Sequence, residues 1–151
     1  MKIMFEKFFP DEYLGSTYKI PFEKLYEQGY RGVIFDIDNT LVPHGAPADE
    51  RAKRLFQRLR EIGFESCLLS NNQKKRVEMF NQEIQTHYIY NALKPARKNY
   101  LHAMEIMGTD QTNTLFVGDQ LFYRRMGRKE GRNTQHFSAS DQSKRRDSDR
   151  F

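Results

Sequence analysis

"GVIFDIDNTLV", Gly32 to Val42, is the stretch on which the fold turns: a run of β-branched and aromatic residues ends in two acids, Asp36 and Asp38, with Asn39 and Thr40 directly after. A short, continuous apolar run of this kind reads as a strand covered on both faces, which points to a parallel sheet. Two carboxylates at the end of such a strand are costly unless a cation sits between them. The strand is therefore expected over residues 32–38, delivering its acids to a ligand.

Working outward, "SCLLS" (66–70) and "TLFVG" (114–118) are two further apolar runs, each closed by a polar or glycine turn, and "YIYNAL" (88–93) supplies another short strand. Between the first two runs, "PADERAKRLFQRLREIGF" (47–64) spaces Ala52, Leu55, Phe56, Leu59 and Ile62 three and four residues apart, with Pro47 suited to a first turn and Gly63 to a stop. "NQKKRVEMFNQEI" (72–84) and "PARKNYLHAMEIMG" (95–108) repeat the helical pattern, with Val77 and Phe80, then Tyr100, Leu101 and Met104, facing inward. Strands alternating with helices predict a three-layer α/β domain with a parallel sheet and right-handed crossovers. The first 31 residues, with a helix in "PFEKLYEQGYRG" (21–32), are expected as an N-terminal extension packed on the 32–122 core.

Composition narrows the class. The chain has 151 residues, room for one domain of the usual 100–150 or so. Cys67 has no second cysteine to pair with and sits in an apolar run, where it reads as a small buried hydrophobe and fits a reducing cytoplasm. No apolar run approaches the roughly 20 residues of a membrane span, and the aromatic N-terminus mixes in its charges, unlike a signal peptide. A net charge of +5 would suggest an acidic partner, but its distribution argues against nucleic acid. Of the 25 Lys/Arg and 20 Asp/Glu, nine and four fall in residues 123–151, so residues 1–122 carry sixteen of each and are neutral.

In an open parallel sheet, ligands bind beyond the carboxyl ends of the strands. The polar segments expected there are Asp36 to Thr40, Ser70-Asn71-Asn72, Lys94-Pro95 and Gly118-Asp119-Gln120. Asp36, Asp119 and a backbone carbonyl are the hard oxygen ligands that Mg²⁺ prefers. Ser70 and Lys94 add a hydroxyl and a positive charge for phosphate oxygens, the electrostatic part of phosphoryl transfer. An aspartate attacking phosphorus is an established covalent route. His44, His87 and His102 lie outside these segments and read as surface or packing residues.

At these four segments the chain resembles the haloacid dehalogenase (HAD) superfamily of phosphatases. "DIDNT" fits its DxDxT signature, "LLSNN" its hydroxyl motif, "LKP" its lysine motif and "VGDQ" its acidic motif, in order, over residues 32–122. "FFPDEY", "DIDNTLVP", "NALKPA" and "FVGDQLF" resemble more closely the bacterial YqeG family, a class IIIA group of HAD hydrolases related to phosphatidylglycerophosphate phosphatases. The resemblance implies a Rossmann-like fold and a Mg²⁺-dependent phosphomonoesterase. Asp36 would be its nucleophile and Asp38 its general acid/base. Thr40, Ser70 and Asn71 would line the phosphate site, Lys94 would clamp charge, and Asp36, Asp38 and Asp119 would form the metal site.

HAD enzymes of small metabolites usually carry an inserted cap domain. Here Thr40 to Ser70 spans 30 residues and Ser70 to Lys94 only 24, each filled by one helical connection, so a capless enzyme is expected. An uncovered site needs a partner or a large substrate to exclude water. That favours a phosphorylated macromolecule or a lipid headgroup such as phosphatidylglycerophosphate, with residues 4–30 offering aromatics for peripheral membrane contact. Spacing and composition leave the oligomeric state open. The rival expectation is a non-catalytic module that keeps the fold and binds RNA, ribosomes or membrane.

After Phe122 the sequence changes character: residues 123–151 contain no Val, Ile or Leu. In the resembled family the acidic motif continues into a second aspartate, a glycine pair, a helix and a last strand. Reading the codons of Tyr123 to Phe137 one nucleotide later permits Thr-Asp-Val-Trp-Gly-Gly-Arg-Lys-Ala-Gly-Thr-His-Ser-Ile, in which the Trp is forced by Met126 and Gly127. A frame change near residue 122, a disordered basic tail, a missing last strand and impaired activity are therefore expected.

Overall fold

A computed structural model of the chain describes residues 17–93, 96–118 and 123–125. Within them the elements run α1 (Phe22–Glu27), β1 (Gly32–Phe35), α2 (Glu50–Ile62), β2 (Glu65–Leu69), α3 (Lys74–Ile84), β3 (His87–Ile89), α4 (Ala96–Met107), β4 (Thr114–Val117) and β5 (Tyr123–Arg125). The sheet order is β3-β2-β1-β4-β5. β1 pairs in parallel with β2, Gly32 opposite Glu65, and with β4, Gly32 opposite Thr114, while β2 pairs in parallel with β3.

Alternation along β1 builds the two faces. Val33 and Phe35 join one core with Phe22 and Leu25 of α1, Leu55, Phe56 and Leu59 of α2, and Val77 and Phe80 of α3. Ile34 goes to the other, with Cys67, Leu69 and Phe116 against Tyr100, Ala103, Met104 and Met107 of α4. The result is the expected three-layer α/β domain. Cys67 is fully buried, and burial alone pushes its thiol up to about 12, so it is a packing residue with little thiolate character.

Helix limits follow local chemistry. Asp49, not Pro47, opens α2: its carboxylate accepts the Ala52 N–H at 2.9 Å. Gly63 closes the helix at φ 119°, its N–H donating to Leu59 O at 3.0 Å, and a side chain there would meet the Tyr26 ring. α1 is tied to α2 by Arg58, which donates to both carboxylate oxygens of Glu23 at 2.7 and 2.8 Å. That hydrogen bonding draws the Glu23 carboxyl down to about 2.

Three expectations need correction. β1 ends at Phe35 and not at residue 38, because the chain turns at Asn39, φ 63°, to form a small loop. β3 covers only His87–Ile89 of "YIYNAL" and its approach. Leu101 is 41% exposed, and Ala103 and Met107 complete the inward face of α4 in its place. A fifth strand, β5, pairs antiparallel with β4, Val117 opposite Tyr123, as a short edge beside the four parallel strands. An edge strand needs only backbone groups to pair, so three residues without Val, Ile or Leu suffice.

Between Thr40 and Ser70 the chain holds one helix, α2, and between Ser70 and Leu93 only α3 and β3, so no cap domain interrupts the described core. No helix among the described residues is long and apolar enough to cross a membrane.

Candidate active site

The chain leaves β1 toward β2 and β3 on one side and returns to β4 on the other, so the strand order switches between β1 and β4. Such switch points open a crevice beyond the strand ends. Asp36 sits at this one: its N–H donates to Val117 O at 3.1 Å, extending the β1–β4 ladder by one rung. Its side chain lies over Gly118, where a Cβ would come within 3.1 Å of Asp36 Oδ2 and 2.7 Å of the Phe116 ring. A close approach of this kind requires glycine. Gly118→Ala is expected to cost about 1–3 kcal/mol of stability through overpacking, read from denaturant unfolding; an unchanged midpoint would show that Phe116 yields freely.

Asp38 lies two residues on, in a loop built by short-range bonds. Asn39 adopts a left-handed conformation that asparagine tolerates well, and its N–H donates to Val42 O at 2.7 Å. Oδ1 of Asp38 accepts two bonds, from the Gly45 N–H and from Arg76 Nη2, both at 2.7 Å. Burial disfavours the Asp38 carboxylate, but the Gly45 N–H, the Arg76 hydrogen bond and charge, and His44 together hold its pKa below the usual carboxylate value. Thr40 is fully buried and its hydroxyl has no hydrogen-bond partner among the described residues, directly after the acid pair.

At the end of β2, Ser70 is 7% exposed; its N–H donates to Ile89 O and its hydroxyl oxygen accepts the Asn72 N–H at 3.0 Å, which leaves the hydroxyl proton to donate elsewhere. Asn71 beside it is exposed. The structure thus brings Asp36, Asp38, Thr40, Ser70 and Asn71 to the carboxyl ends of two adjacent central strands. Lys94 and Asp119 lie outside the described residues, the latter one position past Gly118 in the chain. Among the described residues no three His, Cys, Asp or Glu side chains converge as a metal site, and the expected set includes Asp119.

Arg76 was not among the expected site residues, and Gly118 was expected only as part of a strand-end segment, not for the close approach it allows to Asp36. Arg76 sits in "QKKRV" with two other bases, and its one distinguishing signal is its place next to Val77 and four residues before Phe80, at the inward edge of α3. His44, His87 and His102 are exposed, as expected.

A carboxylate pair at the switch point of a doubly wound sheet, edged by a buried hydroxyl and a guanidinium, defines an α/β protein with a polar strand-end site. No protein-family model matches the chain. Over 120 residues, 78% of this chain and 70% of the relative, it is 37% identical to the probable phosphatase YqeG of Bacillus subtilis (strain 168). Among solved structures it is similar to a hypothetical protein from Xanthomonas campestris, with a TM-score of 0.48 and 17% identity, covering 78% of this chain and 64%, less than two thirds, of that one. With that identity and coverage to the Bacillus protein, the chain belongs to the YqeG family.

Proposed function

We propose that the chain is a phosphatase of the HAD type that hydrolyses a phosphomonoester through an aspartyl-phosphate on Asp36. The observation that carries this proposal is the placement of Asp36 at the β1–β4 switch point, its Oδ2 against Gly118 and Asp38 two residues away. The name of the Bacillus relative, a probable phosphatase, supports the same activity.

In the first step a carboxylate oxygen of Asp36 attacks phosphorus and the bond to the ester oxygen breaks, while Asp38, a carboxylate in the free protein that takes up a proton when the anionic phosphate binds against it, gives that proton to the departing alkoxide. In the second, Asp38 takes a proton from water as that water attacks the aspartyl-phosphate, which frees inorganic phosphate and restores both acids. Thr40 and Ser70 supply hydroxyl protons for the phosphate oxygens, Asn71 lies beside them, and Lys94 adds charge. The oxygen donors of Asp36, Asp38 and Asp119 suit Mg²⁺, and a buried Thr40 hydroxyl with no partner among the described residues fits a site built for a ligand. When bound, Mg²⁺ would neutralise charge on the transferring phosphoryl group.

The absence of a cap from the described core favours a phosphate carried on a macromolecule or a lipid headgroup, either of which would itself cover the site. The tail is part of the same proposal: residues 123–151 are out-of-frame sequence, and their loss of the second acid weakens the metal site.

Metal removal tests the reaction class. Phosphate release from p-nitrophenyl phosphate is expected to stop with EDTA and return with excess Mg²⁺. Turnover that continues undiminished in EDTA would refute the metal requirement, and no turnover with Mg²⁺, together with binding to RNA or vesicles that weakens with salt, would favour the non-catalytic module.

A further inference from the structure

We propose that Arg76 is a positioning residue that fixes one oxygen of Asp38 so that the other is presented to the substrate. This rests on the phosphatase reading above. Arg76 belongs to the first turn of α3 and reaches across 38 residues of sequence to Asp38, Nη2 to Oδ1 at 2.7 Å. Both side chains are only 16% exposed. Because Oδ1 also accepts the Gly45 N–H at 2.7 Å, that oxygen is held from two directions. Oδ2 has no hydrogen bond to any described residue, so it is the oxygen left for proton transfer.

Stability alone explains this arrangement poorly. Nε of Arg76 is buried and has no hydrogen-bond partner among the described residues, and a buried donor without an acceptor is destabilising. Buried ion pairs are often no better for stability than apolar residues of the same volume. A guanidinium kept at that site with one donor unsatisfied is explained if the carboxylate it grips must be aimed. Phe80 supports it from below, with the guanidinium carbon 5.6 Å from the ring centre. The pair also ties the loop after β1 to the first turn of the helix after β2, so it sets the spacing between Asp38 and the Ser70 segment.

A carboxylate out of place fails as a general acid, and that failure depends on the leaving group. An alkyl phosphate needs its departing oxygen protonated, whereas p-nitrophenolate leaves readily as the anion. In the full chain, Arg76→Leu is expected to lower kcat/KM for glycerol 3-phosphate by roughly 100-fold and for p-nitrophenyl phosphate by less than about 5-fold, with KM for both little changed. Arg76→Lys, which can still donate to Oδ1, is expected to recover at least part of the alkyl-ester rate. Equal losses on the two esters, with or without a lowered unfolding temperature, would overturn the assignment and leave Arg76 a structural prop. No loss on either would also overturn it. If the leucine variant does not fold, the lysine variant must show the same inequality between esters in milder form, or the assignment fails. A parent chain that releases phosphate from neither ester sinks the phosphatase reading and this inference with it, an outcome distinct from those in which the parent is active.

Discussion

With the reading frame restored after Phe122, Asp36→Asn should abolish release of phosphate from p-nitrophenyl phosphate, a loss of roughly 10³-fold or more, because a neutral amide cannot attack phosphorus. The substitution preserves the side chain's shape beside Gly118, and the backbone bond from residue 36 to Val117 O, 3.1 Å, involves no side-chain atom. Stability is therefore expected to change by no more than about 1 kcal/mol. This separates chemistry from folding in a single variant. Paired measurement of steady-state turnover and thermal unfolding checks it, and full retention of activity would refute the nucleophile assignment.

Phe35→Ala carries the largest expected effect on stability, about 3–5 kcal/mol. Phe35 is fully buried at the centre of the sheet, its ring 5.0 Å from Phe56 of α2 and 6.2 Å from Phe22 of α1. No single neighbour can fill the space, since the three rings come from three different elements. Denaturant unfolding should show a lower midpoint with an unchanged slope. A cost below about 1 kcal/mol would mean that α1 and α2 collapse onto β1, and that the aromatic cluster is far more compliant than close-packed cores usually are. Because Phe35 directly precedes Asp36, loss of its anchorage is also expected to loosen Asp36.

The sheet and the acids were legible in the sequence for one reason: a carboxylate pair at the end of an apolar run is out of place unless it serves a ligand. Val33 to Phe35 could only be a doubly covered strand, and the helices after it announced themselves by spacing. What could not be read was direction within a periodic pattern. Leu101 and Ala103 both fit a helical stripe, and only the packing of α4 on Ile34 and Phe116 decides that Ala103 turns inward. Pro47 and Asp49 are both good openers of a helix, and the hydrogen bond to Ala52 decides for Asp49. Arg76 was hidden for a different reason. Composition does not distinguish it from Lys74 and Lys75, and its role depends on a carboxylate 38 residues earlier in the chain. The roles assigned to Lys94 and Asp119 rest on sequence alone, because those residues lie outside the described part of the molecule.

The pairing of β1 with β4 also bears on how the protein is made. Phe35 meets Val117 across the sheet, whereas its other neighbour, Leu68, is much nearer in the chain. During translation, β1, β2 and β3 can assemble as soon as they are synthesised, but the side of β1 that β4 will cover stays open until residues 114–117 have been made. A nascent chain halted before that point would hold Asp36 on an unfinished edge, where the rung to Val117 does not yet exist. Asp36 is thus set into its final position only once residues 114–117 have been made.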